Sequence, residues 1–571
     1  MKKCLAGVVL VLFSSWPLPG SAASTGQNDP ILQALSSELS RSVNRLRLDK
    51  YEAPYFIAYR LTDIHSVNMR ASYGALTTSG GDRYRALAVD VRVGNYVDDN
   101  TSDDEGFYYN PRDDDAYSYS QRYAPLDNDT AALRQELWLM TDYRYKSALE
   151  AFIGERGRDI QKVEKPDRPD DFSKIQPMER IDPVDSLVVD RKRWENILRA
   201  ISARFKSQPL IHASDIDFMG ASQVRYLLTS ESTRLRTNQF NLSVSMSAET
   251  RGDDGMPLSL ETVWKTHKPQ GLPDSVTLAR AADSLAGLLL QLRVATVMEP
   301  YTGPAIIKHG ASGVFFHEAL GHRLEGHRTR MESEGHTFKD KMGQKIIPTF
   351  LNVYDDPTLT SVAGSELYGY YQIDDEGVPA QRVSLIEHGI LKNFLLSRMP
   401  TKDIKVSNGH GRADMWSDAV SRMGSTFVVT DSPLTYDQMR SKMLDECRKE
   451  GKEYGLIFED IASGETNTSS AGVQTLRISP RVVKKVYVSD GHEELVRGAE
   501  LIGTPLAVLE SIQAAGDDLG VFNGVCGAES GWVPVSAVAP SVLVGEIEVQ
   551  RMDRNLKRGP ILPPPLHDPE K

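Results

Sequence analysis

The chain has 571 residues, 40% of them hydrophobic and 25% charged, with a formal net charge of −12. That length predicts a large core split over two or more domains, with the composition of a soluble globular protein. An acidic balance without a basic tract excludes nucleic acid as the expected partner.

The N-terminus, MKKCLAGVVLVLFSSWPLPGSAAS, pairs Lys2 and Lys3 with an apolar stretch from Leu5 to Phe13 and small residues at Ser21-Ala22-Ala23. This pattern predicts a secretory signal peptide over residues 1–23, and hence a periplasmic or secreted protein. The apolar stretch is too short to span a bilayer, so no membrane anchor is expected after cleavage. Cys4 precedes the apolar stretch, unlike a lipoprotein cysteine. Cleavage leaves Cys447 and Cys526, and in an oxidising compartment the pair invites a disulfide.

Residues 52–96 alternate as three strands, PYFIAYRL, VNMRASYGAL and YRALAVDVRV, between turn-rich segments. The acidic run at 97–115 reads as a solvated loop without calcium-loop spacing. Asp129 is positioned to cap a helix carrying Leu133, Leu137, Met140 and Ala148 at helical spacing. A charged connector follows at 162–174, then a helix around Trp194 to Phe205. Residues 224–265 return to strands, and 276–297 form a long helix buried on one broad face. MEPYTGPAII marks a boundary, giving an N-terminal domain over 24–298 and a C-terminal domain over 299–557. VSLIEHGILKNFLL (383–396) is a hairpin turning at His388-Gly389. Residues 558–571 form a Pro-rich tail. With its strands grouped rather than alternating with helices, the chain is of the α+β class.

The chemistry concentrates in GVFFHEALGHRLEGH, residues 313–327. The zinc-protease spacing is H-E-x-x-H, one helical turn between histidines. Here His317, Glu318 and His322 form H-E-x-x-x-H, one residue longer. On a regular helix five positions place His322 about 140° from His317, so a π-bulge at Gly321 is expected to restore a common face. Neutral imidazoles suit zinc, which makes water acidic near neutral pH, and Glu318 can take up the proton and return it to the leaving amine. The alternative is two histidines on a solvated helix end, with Glu318 paired to Arg323.

Cys526, between glycines in GVFNGVCGAESGWVPV, supplies a possible third ligand, since a thiolate binds zinc well. The competing readings are a disulfide to Cys447 and a buried free thiol. Cys447 itself falls near the end of what reads as a polar, exposed helix.

HEALGHRLEGH, VYDDPTL, DDEGVPAQRVSLIEHGILKNFLLSR, NGHGR, RMGSTFVV and GVCGAESGWVPV occur in that order. Together they resemble the TldD/PmbA family of metalloproteases, over most of residues 300–550. The resemblance implies an N-terminal α/β domain followed by a strand-rich C-terminal metalloprotease domain with the H-E-x-x-x-H helix. It implies that His317, His322 and Cys526 bind one Zn2+ per subunit and that Glu318 is the catalytic acid/base. It also implies two-subunit assembly, as a homodimer or a heterodimer with a family paralogue, acting on unfolded or flexible peptides. Familiar members lack a signal peptide, so export here puts their known substrates in doubt. Glu325 and His327 are candidates for contacts behind the metal ligands. The substrate-binding residues are not specified. The other reading is a periplasmic peptide-binding or scaffolding protein with a structural metal.

Overall fold

The computed structural model describes residues 28–103, 122–159, 168–472, 474–552, 557 and 559–567. The predicted signal peptide, residues 104–115 of the acidic run, the first part of the 162–174 connector and parts of the Pro-rich tail lie outside the described residues.

The chain is mixed α/β and strand-rich. It opens with α1 (Pro30–Arg45), whose first amides are capped by the Asp29 carboxylate. An eight-stranded sheet follows, built on β1 (Phe56–Ser72), β2 (Arg83–Arg92), β3 (Ala213–Thr229), β4 (Arg234–Arg251) and β5 (Pro257–Thr266), each antiparallel to its neighbour. The first two expected strands are one: β1 runs through TDIHS, and the chain turns instead at Tyr73-Gly74, both at positive φ.

α2 (Thr130–Asp159) starts at the expected Asp129 cap and buries Leu133, Leu137 and Met140 with α1 against Tyr59, Val89 and Leu228. α3 (Arg191–Ser202) and α4 (Ser275–Val294) pack on β3 and β4 through Leu198, Ile201, Leu285 and Leu289, facing Phe218, Val244 and Met246. The acidic run is not all solvated. Asp99 is fully buried, accepting from the Tyr55 hydroxyl at 2.7 Å and pairing with Arg92 at 3.0 Å.

A thirteen-stranded sheet forms the second layer system. Its principal strands are β6 (Tyr301–Ile307), β7 (Leu351–Asp355), β8 (Ser425–Thr430), β9 (Tyr454–Thr466), β10 (Leu476–Tyr487), β11 (Ile512–Ala528) and β12 (Gly531–Arg551). β12 lies between β8 and β6 and also pairs with β11 in a long hairpin. The hairpin at 383–391 turns at His388-Gly389 with φ of 48° and 76°, as expected. Between β6 and β7 comes α5 (His309–Ala319). Val314, Phe315 and Phe316 bury its apolar side in the core, each contributing roughly 1.5–3 kcal/mol. The first free amide of α5, at His309, donates to Ser541 Oγ of β12 at 3.0 Å.

α6 (Tyr436–Lys449) carries Cys447, which is not exposed as expected but fully buried beside Met439, Met443 and Leu444. Met439, Met443 and Cys447, four apart, form with Leu444 a narrow stripe that the polar remainder of the helix conceals.

Candidate metal centre

α5 lies across the β11–β12 hairpin because Gly313 lets it approach closely: a Cβ there would stand 2.9 Å from the Ala537 carbonyl oxygen of β12. The helix therefore presents His317, on its last turn, to the strand that carries Cys526. His317 Nε2 is 3.1 Å from Cys526 Sγ.

The expected π-bulge does not occur. α5 ends at Ala319, Leu320 leaves helical geometry at φ −121°, and a 3-10 turn over Gly321–Leu324 carries His322. Gly321 matters through its missing side chain: a Cβ would stand 2.2 Å from Met423 Sδ. The break achieves what the bulge was expected to do. The two imidazole rings stand 5.0 Å apart at 82°, and His322 Nε2 is 3.5 Å from Cys526 Sγ.

Cys526 sits within a long strand, opposite Val533, and the turn follows at Glu529-Ser530. Neither Cys447 nor Cys526 forms a disulfide.

The donor atoms of His317, His322 and Cys526 lie within 4.8 Å of one another, and all three residues are buried. Tetrahedral zinc with bonds of about 2.0–2.3 Å separates N and S donors by about 3.6 Å, so this set fits zinc. Burial alone would keep the Cys526 thiol protonated, but His322 and His317 outweigh it and hold its pKa well below the ordinary range. The thiolate that a metal requires is thus the favoured form.

Behind the donors lies a buried polar network. Glu325, fully buried, accepts from His322 Nδ1 at 3.1 Å, which turns Nε2 toward Cys526. The expected contact therefore forms, although Glu325 lies beyond the helix, between two 3-10 turns. Burial opposes the Glu325 charge, yet His322 and Arg328 outweigh it and bring its pKa down to about 2. His327 turns away from the donors and bonds Glu529. Arg328 ties this carboxylate group together, reaching Glu325 at 2.9 Å, Glu334 at 2.6 Å and Glu529 at 2.9 Å.

Arg422, also fully buried, joins the two ligand-bearing segments. It donates to the Cys526 carbonyl oxygen at 2.7 Å and to Ser530 Oγ at 2.9 Å, with Nε 3.5 Å from Glu325. The sequence marks Arg422 within RMGS and Glu529 beside GVCG but gives neither a role. Their positions depend on contacts more than a hundred residues away.

Glu318 follows His317 on α5 and is half-buried. Its side chain lies over Gly464 of β9, where a Cβ would stand 2.4 Å from Glu318 Cγ. Arg323 does not pair with the Glu318 carboxylate. Its guanidinium donates to the main-chain oxygen of Glu318 at 3.0 Å and to Thr466 Oγ1 at 2.9 Å. The carboxylate thus follows His317 directly in the chain and lies against β9.

Residues 300–551 match the model of the PmbA/TldA metallopeptidase C-terminal domain. A metalloprotease TldD homolog from Haemophilus influenzae is 30% identical over 252 residues, covering 43% of this chain and 48% of that protein. A zinc metalloprotease TldD homolog from Saccharolobus solfataricus is 28% identical over 247 residues, covering 43% and 51%. The chain spans about half the length of these curated relatives. Among solved structures, TldE from Thermococcus kodakarensis superposes with a TM-score of 0.56 at 11% identity, covering 90% of this chain and 100% of that one. That likeness is one of fold.

Proposed function

Since the chain belongs to the TldD/PmbA family through its C-terminal half, we propose that it is a zinc-dependent peptidase acting on unfolded or flexible peptides. The observation that carries this reading is the convergence of His317, His322 and Cys526, with Glu318 next to His317 in the chain. Two imidazoles and a thiolate are a three-ligand zinc set that leaves a fourth position for the reaction. When bound, zinc supplies Lewis acidity and lowers the pKa of water toward neutrality. Glu318 takes the proton from the attacking water and returns it to the departing amine. Glu325 holds the His322 ring in place, and Arg328 keeps Glu325 charged.

An open cleft elsewhere along β11 supports the proposed substrate form. A cleft of about 1180 Å³ is lined by Val263 and Lys265 of β5 and by Phe522, Asn523 and Val525 of β11. Among the described residues β5 pairs with β4 alone, and β11 from Leu519 onward pairs with β12 alone, so each offers an unpaired edge. An extended peptide can pair with such an edge through its main chain, largely regardless of side chains. A folded protein cannot.

We place the enzyme in the periplasm or outside the cell, on the signal-peptide pattern of residues 1–23. It works there as a homodimer or with a family paralogue, its N-terminal domain over 24–298 and its metalloprotease domain over 299–557. No described helix is long and apolar enough to cross a membrane.

The test is metal analysis of the purified mature chain and of Cys526→Ser. One zinc per chain is expected, with most of it lost in the variant. Full zinc occupancy in Cys526→Ser would remove Cys526 from the ligand set.

A further inference from the structure

A sheet face covered by a second layer is normally apolar, because buried polar groups must find partners. The first sheet breaks this rule on one face. In its register Thr62 stands opposite Arg225 and Arg225 opposite Thr237, while Gln223 stands opposite Gln239. This polar patch is covered by Arg412 and by Trp532 of β12, and the layers enclose a cavity of about 230 Å³. Three arginines line it: Arg60, Arg225 and Arg412.

Local partners hold these arginines without neutralising them fully. Arg60 donates to the main-chain oxygens of Asp414, at 3.3 Å, and Ser417. Arg412 uses Nη1 for the main-chain oxygens of Met423, at 2.7 Å, and Pro534, at 2.6 Å. Arg225 alone forms an ion pair, with Asp375. The other two carboxylates in the wall are occupied by main-chain amides: Asp374 accepts from Val378 and Gly411, and Asp414 from Trp416 and Ser417.

Burial pushes the pKa of all three arginines below the ordinary range, and that of Arg225, with Arg60 and Arg412 adding to the effect, to about 10. Arg92 and Arg144 are half-buried, yet their aspartate neighbours outweigh the cost of desolvation and raise them. Three arginines thus share the wall with three aspartates, and only one guanidinium, that of Arg225, is paired directly with a carboxylate.

We propose that this cavity binds a small organic carboxylate with an adjoining amide, the chemistry of an acylated amino acid or a peptide C-terminus. The planar guanidinium groups of Arg225 and Arg412 match a carboxylate in shape and charge. Gln223, Gln239 and Thr237 offer donors and acceptors to the neighbouring amide. Trp532, 68% exposed, stands in the wall as an apolar contact for the ligand's side chain. The cavity borders the strand pair that carries Cys526, since Val525 beside it and Val533 opposite it line the wall, but the proposal does not rest on the peptidase reading.

Calorimetric titration of the full chain with N-acetylalanine tests it, with N-acetylalanine amide and inorganic phosphate as comparators. Saturable binding of N-acetylalanine is expected, weakened by added salt and absent for the neutral amide. Arg225→Gln should lower the affinity at least about tenfold, as a charge-assisted contact is lost. Because Arg225→Gln also frees Asp375, Gln239→Leu provides a second variant that breaks no ion pair, and it should weaken binding with an unchanged melting temperature. No saturable binding of N-acetylalanine, tighter binding of phosphate, or wild-type affinity in a folded variant would each overturn the assignment.

Discussion

Arg422→Lys tests whether the metal centre depends on the bridge between its two ligand-bearing segments. The arginine fork spans the Cys526 carbonyl oxygen, Ser530 Oγ and the Gly531 carbonyl oxygen while its Nε faces Glu325. Lysine keeps the charge but gathers its donors on one nitrogen and cannot span these groups. About two charge-assisted hydrogen bonds are lost, worth roughly 1.5–3 kcal/mol each before any rearrangement. Only part of that loss reaches the ligands, because His317 and the β11–β12 pairing still hold them. Losing a partner behind a metal ligand typically costs about 10–100-fold in metal affinity. That range, about 1.4–2.7 kcal/mol, is the expected effect on zinc binding. Competition with a chromophoric chelator measures it, and a thermal melt of the stripped protein checks that the fold survives. A folded variant binding zinc within about twofold of wild type would show that the bridge is structural and leaves the ligands unaffected.

Glu318→Gln is expected to keep its zinc while losing peptidase activity by about a hundredfold or more, because the amide cannot accept the proton. Its assay substrate is a small disulfide-stabilised protein, supplied native and again after reduction and alkylation; wild type should cut mainly the second, and equal rates on both forms would contradict the cleft reading. Glu376 predicts a pH effect: burial and its neighbour Asp374 outweigh Arg398 and raise its pKa from the ordinary carboxylate range to about 8. The native state thus retains a proton that the unfolded chain has released. Its contribution to stability is intact below about pH 4.5 and falls as pH rises toward neutrality, by at most about 1.4 kcal/mol per pH unit. Glu376→Gln should remove that slope in denaturant titrations from pH 5 to 7, and an unchanged slope would refute the assignment.

His317, Glu318, His322 and Cys526 were legible in the sequence because metal chemistry restricts residue type so sharply. How His322 reaches the site was not. Helical periodicity calls for a widened turn, but Met423 fills the space beside Gly321 and the helix ends instead. Glu325 was singled out for sharing a helix face with His322, yet it makes its contact from between two 3-10 turns beyond the helix. Arg422, which acts through groups more than a hundred residues downstream, was visible only as a motif. Periodicity failed at Cys447 for another reason: a narrow apolar stripe does not stand out against the mostly polar remainder of a fourteen-residue helix. In β1 no residue required a turn at TDIHS, so strand pairing with β2 and β3 carried the strand straight through.

The order in which the chain is made has a consequence for when the site can exist. Cys526 follows His317 by 209 positions, and β12, the last long strand, is the one inserted between β6 and β8. A nascent chain emerging from the ribosome carries both histidines long before it carries the sulfur or the strand that closes the sheet. Until that strand is in place, α5 has nothing to lie across, and the Cys526 thiolate is absent. The cluster of His317, His322 and Cys526 is therefore assembled only once residue 526 has been made, and a chain truncated ahead of it lacks the sulfur.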